Sequence, residues 1–261
     1  MRTICLHDRV TIAELLRRNL DMRLYEIGDL DDFFWPSTTW YALEDTGVIH
    51  EVALAYNAGD LLVLLAQVTS SPELLRMLLQ SLRHLLPQRF YGHLPPGMAD
   101  CFAGYTADLH GLHDKMGLVN AARLADLDTS TVVRFDPADE AELRAFYAIA
   151  YPGNWFDPRM LATGHYYGYR EEGQILSVAG VHVYSPTQRV ATLGNITTHP
   201  AARERGLATC VTAHLCRELL GALGEVDRIG LNVRSDNAAA IACYRRIGFE
   251  RAGQYEEWMF S

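Results

Sequence analysis

A chain of 261 residues, 49% apolar and 21% charged, has the balance of a folded globular protein and is long enough for one large domain or two of ordinary size. Its formal net charge of −9 argues against a broad phosphate-binding surface, so nucleic acid is not an expected partner. The longest apolar run, Leu61 to Ala66, is far short of the roughly 20 residues that cross a bilayer. The first eight residues carry no apolar stretch of secretory-signal length, so no membrane partner is expected and the cytoplasm is the expected location.

Five widely spaced cysteines without a C-x-x-C pair imply reduced thiols rather than a disulfide framework or a zinc knuckle. Thr11-x-x-Glu14 reads as a capping box opening a first helix. A hairpin follows, from Trp40 to Glu44 and from Val48 to Tyr56, then a turn at 57–60 and a buried strand from Leu61 to Val68. Ser71 with Pro72 starts a helix towards Leu86, with Leu75, Leu78, Leu79 and Leu82 on one face. Short strands are expected near Phe90 to His93 and Lys115 to Val119, around a weaker helix at Ala99 to Phe102.

At 126–131 the periodicity resets, and a boundary there divides the chain into domains 1–130 and 131–261. Asp136-Pro137, with Asp139, starts a helix with Leu143, Phe146 and Tyr147 inward; Asp157-Pro158 starts a short one closed by Gly164. A hairpin joins Tyr166–Arg170 to Gln174–Tyr184. A strand from Val190 to Thr197, a helix from Arg203 to Leu220, a strand from Arg228 to Val233, a helix from Asn237 and a strand from Phe249 complete the order. Both halves read as helix, strand pair, strand, long helix, strand, short helix, strand. Duplication and two unrelated α/β domains both explain that order, since no residue-level repeat is visible.

The stretch from Asn195 to Thr209 carries the chemistry. A strand ends, Pro200 turns the chain, and a loop holding Gly206 enters a helix whose buried stripe is Leu207, Val211, Leu215 and Leu219. The first backbone N–H groups of a helix are unpaired and carry its partial positive charge. Gly206 and Ala208 leave room for close approach, and Arg203 and Arg205 add cationic charge, so the pattern points to a phosphate-bearing ligand. Neither G-x-x-x-x-G-K-[ST] nor a strand-borne G-x-G-x-x-G is present.

Arg203-x-x-Gly206-x-Ala208 resembles the pyrophosphate signature of the GNAT superfamily of N-acetyltransferases, and 232–249, with Asn237, Tyr244 and Gly248-Phe249, resembles its second cofactor segment. Residues 151–260 resemble, within it, the C-terminal domain of glycine N-acyltransferases. The resemblance implies a mixed α/β fold, a twisted mixed sheet flanked by helices, with a non-catalytic N-terminal α/β domain that could be a degenerate GNAT-like half. It implies acetyl-CoA or another acyl-CoA as co-substrate, no metal, and a small-molecule or peptide amine as acceptor; a homodimer is compatible with it.

By the same resemblance, Ile196, Thr197 and Thr198 would line the pantetheine arm, with an N–H near Ile196 polarising the thioester. Amides from Glu204 through Arg205, Gly206, Leu207 and Ala208 to Thr209 would hold the pyrophosphate, assisted by Arg203 and the Thr209 hydroxyl. Asn232 and Asn237 would meet the cofactor, Asn237 also capping its helix. Tyr244 would protonate the departing thiolate. Arg234, Arg245 and Arg246 are candidates for the 3′-phosphate. The strand before the loop lacks the carboxylate many members use as base, which leaves His182, His199, Glu256 and Glu257 as candidates. Trp155, Phe156, Tyr166, Tyr167 and Trp258 are either acceptor walls or core. His110-x-x-His113 supplies two ligands, too few for a zinc site.

The expected reaction is direct attack of a primary amine on the thioester in a ternary complex. The competing reading is a catalytically weak acyl-CoA-binding regulatory protein. In the N-terminal half the counterpart loop, 68–73, has neither arginine nor glycine. Glu73 puts negative charge where a pyrophosphate would sit, so one acyl-CoA per chain is expected.

Overall fold

The computed structural model describes residues 1–57, 59–221 and 224–261; Ala58, in the expected turn at 57–60, lies outside them. In chain order the first elements are β1 (Arg2–Leu6), α1 (Arg9–Leu16), α2 (Leu24–Gly28), β2 (Thr38–Asp45), β3 (Val48–Tyr56), β4 (Leu62–Ala66), α3 (Pro72–Leu82), β5 (Phe90–Leu94) and β6 (Ala107–Leu118). Then come β7 (Val132–Arg134), α4 (Glu140–Ala150), β8 (Tyr167–Glu171), β9 (Gln174–Ser185), β10 (Val190–Thr198), α5 (Leu207–Leu220), β11 (Arg228–Arg234), α6 (Ala238–Ile247) and β12 (Phe249–Phe260). Among the described residues no helix is long and apolar enough to cross a membrane.

The chain forms two compact units, each assembled from separate segments. The first joins Met1–Lys115 to Val233–Asp236 and Ala252–Ser261; the second joins Met116–Asn232 to Asn237–Arg251. In the first unit the strand order is β1-β2-β3-β4-β5-β12-β6, with β4 parallel to β5 and β12 antiparallel to it from Glu256↔Leu94 to Phe260↔Phe90. The α3 stripe of Leu75, Leu78, Leu79 and Leu82 is buried against Leu43, Ala53, Leu64, Phe90 and Phe260, as its spacing predicts. In the second unit the order is β11-β10-β9-β8-β7, with only the β10–β11 pair parallel. The α5 stripe is buried in full, and the helix lies against β8, β9 and β10.

Local signals decide most boundaries. Asp136 and Asp139 form the reciprocal capping box ahead of α4. Gly248 ends α6 at φ 115°, where a β-carbon would collide with the Asn120 carbonyl oxygen at 2.2 Å. That explains the Gly-Phe pair after the helix. Three expectations are corrected. The first helix is capped by Asp8, whose carboxylate accepts from the N–H groups of Val10 and Thr11, so it begins before Thr11. The helix expected from Arg203 starts at Leu207, because Glu204 (φ 64°) and Gly206 (φ 77°) are left-handed and keep 203–206 in a loop. The strand expected at Lys115 starts at Ala107, while β1, α2 and β7 are too short and irregular in pattern to stand out in the sequence.

Candidate active site

The site lies in the second unit, where two parallel strands part. β10 pairs with β11 only from Val190↔Arg228 to Leu193↔Leu231, although β10 runs on to Thr198. On its other edge β10 is bulged: pairing with β9 jumps from Gly194↔Gly180 to Thr197↔Val178, and Asn195 sits at φ 54°. Hydrogen bonds hold the bulge, two of them buried. Tyr147 on α4 donates to the Asn195 carbonyl at 3.0 Å, the Asn195 amide donates to the Tyr166 hydroxyl at 3.0 Å, and Asn154 donates to Asn195 Oδ1 at 3.0 Å. Burial raises both phenols well above the ordinary tyrosine range, so they act as neutral hydrogen-bonding groups. Asn195 is therefore a structural residue that fixes the bend in β10. Beyond Leu193 the main chain of Gly194 to Thr198 has no ladder to β11 among the described residues, the gap that an extended ligand arm can fill.

Beyond β10 the chain turns at His199, whose Nδ1 accepts from the Ala201 N–H at 3.3 Å. The loop then delivers Gly206 as the residue ahead of α5. Among the described residues no side chain caps this helix, no acidic residue lies in its first turn, and a β-carbon on Gly206 would meet nothing within 4 Å. An uncapped, accessible helix start with exposed flanking arginines is an anion site in waiting. Arg203 is exposed and makes no ion pair among the described residues. Arg205, by contrast, is held by Glu171 at 2.7 and 3.0 Å, which cancels much of its charge. The Thr209 hydroxyl lies 3.2 Å from Cys243 Sγ, tying α5 to α6.

Asn237 caps α6, accepting from the Ala240 N–H at 3.1 Å, and its side chain is exposed. Seven residues on, Tyr244 is 7% exposed with its ring 6.1 Å from that of Phe249. Asn232, on β11, is half-buried one residue past the last β10–β11 pair. The candidate cofactor residues Ile196, Thr197, Thr198, Arg203 to Thr209, Asn232, Asn237 and Tyr244 thus all belong to the second unit. Thr197 and Thr198 also serve the β9 side: Ser177 Oγ donates to the Thr197 carbonyl at 3.2 Å and lies 2.9 Å from Thr198 Oγ1.

The four candidate bases separate clearly. His199 is used as a cap. Glu256 accepts from the Trp258 indole N–H at 3.0 Å, and Glu257 accepts from the hydroxyls of Tyr91 and Tyr255 at 2.6 and 2.7 Å, all within the first unit. His182, on β9, stands over Gly194, with Trp155 against it at 5.8 Å between ring centroids. Of the candidate acceptor walls, Tyr166 and Tyr167 are buried, while Trp155 is 54% exposed. His113 Nε2 lies 3.6 Å from Glu257, and among the described residues no group of three or more His, Cys, Asp or Glu could hold a metal ion.

The counterpart loop in the first unit is built differently. The fully buried Glu51 carboxylate on β3 accepts from the backbone N–H groups of Thr69, Ser70 and Ser71 at 2.7, 2.6 and 2.8 Å. Arg23, also buried, binds the same loop by donating to the Gln67 carbonyl and to Thr69 Oγ1. Glu73, the carboxylate expected to exclude an anion, is exposed on the first turn of α3. The loop was legible in the sequence, but the residue filling it lies twenty positions upstream, and no local pattern points to it.

Residues 128–249 match the profile of the Acetyltransferase (GNAT) family. The chain is similar to the N-alpha-acetyltransferase RimI of Mycobacterium tuberculosis, with 34% identity over 139 residues, 51% of this chain and 75% of that protein. It is also similar to the X-ray structure of a Drosophila protein, over 99% of this chain and 97% of that one, with a TM-score of 0.72 and 13% identity. A tandem GNAT protein from the clavulanic acid biosynthesis pathway matches over 99% and 98%, with a TM-score of 0.57 and 13% identity. At such identities the structures speak for the fold, and the profile and the RimI relative for the kinship. Mixed sheets flanked by helices, parted parallel strands and an open helix start agree with both, and the chain belongs to the GNAT family of acetyltransferases.

Proposed function

We propose that the second unit transfers an acetyl group from acetyl-CoA to a primary amine by direct attack in a ternary complex. The observation that carries this reading is the early end of the β10–β11 ladder at Leu193↔Leu231, directly before the uncapped start of α5. A pantetheine arm can hydrogen-bond along Ile196, Thr197 and Thr198, while the pyrophosphate accepts from N–H groups of 204–209. Arg203 supplies charge at that end, Asn232 and Asn237 flank the arm, and Tyr244 is the proton donor for the thiolate. The first unit takes no cofactor, since Glu51 already fills its counterpart loop.

The likeness to a protein named N-alpha-acetyltransferase supports an α-amine as acceptor. The resemblance of 151–260 to glycine N-acyltransferases keeps amino-acid amines as the competing class. Calorimetry with acetyl-CoA, followed by thiol release with peptide α-amines, free amino acids and a polyamine, tests the proposal. One site per chain with turnover on an amine supports it. Binding without turnover on any amine favours an acyl-CoA-responsive regulator instead, and absence of binding sinks both readings.

A further inference from the structure

Resting on that reading, we propose that the imidazole of His182 takes the proton from the incoming amine, in place of the carboxylate that β10 lacks. Three independent features aim it there. First, His182 is a bulge residue: β9–β10 pairing passes from Val183↔Thr192 directly to Val181↔Leu193, so the register skips His182. Such a bulge turns a side chain away from the regular alternation of the strand. Second, the residue beneath the ring is a glycine. A β-carbon on Gly194 would lie 2.2–2.3 Å from Cδ2, Cγ and Nε2 of the imidazole, so only glycine admits the ring in this position. Third, Gly194 is the first residue of β10 past the last β10–β11 pair, which puts the ring at the mouth of the gap assigned to the thioester arm.

Trp155 covers the other side. Its indole meets the imidazole edge-on, at 5.8 Å and 78°, and is itself 54% exposed on the loop after α4. Histidine suits the task because its ordinary titration lies nearest to neutrality, where a base must be free yet able to hold a proton.

The step balances. The acceptor arrives as an ammonium ion and gives one proton to an imidazole nitrogen of His182. The freed amine lone pair attacks the thioester carbonyl carbon, forming the C–N bond. Collapse of the tetrahedral intermediate breaks the C–S bond, and the departing thiolate takes a proton from Tyr244. The phenolate recovers a proton from the new amide nitrogen, and His182 returns its own to solvent. An ammonium ion and acetyl-CoA become an amide, free CoA and one proton.

The test compares His182→Gln and His182→Ala with the wild type, using acetyl-CoA and a peptide with a free α-amine, read by thiol release and calorimetry. We expect kcat to fall about 100-fold or more, with acetyl-CoA affinity within about twofold of wild type. Added imidazole should restore about tenfold of the lost rate in His182→Ala, a rescue that a packing role would not give. Variants within about threefold of the wild-type kcat overturn the proposal. If neither variant folds, carbethoxylation of the wild type followed by peptide mass spectrometry takes their place. Turnover should then fall in step with modification of His182, and turnover that survives complete modification overturns it. A wild type that binds no acetyl-CoA would instead sink the proposed function, which separates the two failures.

Discussion

The loop 67–73 of the first unit and the loop 199–207 of the second do the same architectural job and differ in one respect. Each leads from a strand beside a parallel neighbour into an amphipathic helix packed on the sheet. In the first, three consecutive backbone N–H groups converge on the buried Glu51 carboxylate. In the second, two left-handed residues shape the loop, no side chain among the described residues caps the helix, and the space over Gly206 is open. Backbone amides at such a turn must find an acceptor. One unit supplies it from its own chain, and in the other that place is the one proposed for the pyrophosphate.

The largest effect on that contrast is expected from Gly206→Glu. The substitution forces a side chain into a left-handed position and puts negative charge where the pyrophosphate belongs, so acetyl-CoA affinity should fall by about 100-fold or more. Calorimetry on a protein whose circular dichroism is unchanged checks it, and undiminished binding would remove the open loop from the cofactor site. Tyr244→Phe keeps the buried ring but deletes the hydroxyl. Turnover should drop roughly 10- to 1000-fold with little change in acetyl-CoA affinity. Equal rates would hand the thiolate's proton to solvent or to another group.

Glu51→Ala probes the closed loop. It strands three backbone N–H groups and removes a buried negative charge that favours the charged Arg23, so denaturant unfolding should show a loss of roughly 3–5 kcal/mol. The binding stoichiometry should stay at one acetyl-CoA per chain, held by the second unit. A wild-type stoichiometry of two would mean that Glu51 does not close its loop. The smallest effect is expected from Glu171→Gln, which releases Arg205 from its exposed ion pair. Since such pairs contribute little in water, acetyl-CoA affinity should rise by less than about threefold. A large gain would show that Glu171 competes with the cofactor for Arg205.

Much of the second unit could be read from local signals. The Asp136–Asp139 capping box, the α5 stripe, the Asn237 cap and the Gly248 stop all recur where the residues predict them, because each works within a turn or two of helix. The glycine and arginines of the loop 203–209 are likewise written within a few residues of one another. The pairing of Arg205 with Glu171 was not legible, since it spans 34 positions and depends on where the β8–β9 hairpin turns. The work of Asn195, anchored by Tyr147 and Tyr166, was not legible either, since its bond to Tyr147 joins α4 to β10 across 48 positions.

What the sequence by itself determined is the set of elements and the chemical character of the loop 203–209. Helix stripes, caps and turn glycines depend on neighbours within about seven residues, and those neighbours are written side by side. Only the tertiary structure decided which residues finish the sites. Strand register brought His182 over Gly194, ended the β10–β11 ladder at Leu193, and placed Glu51 rather than Glu73 in the first unit's loop. Register is set by the packing of whole sheet faces, and a one-residue slip would exchange every inward side chain for its outward neighbour. No short stretch of the chain carries that information, because the faces that fix it belong to strands far apart in sequence.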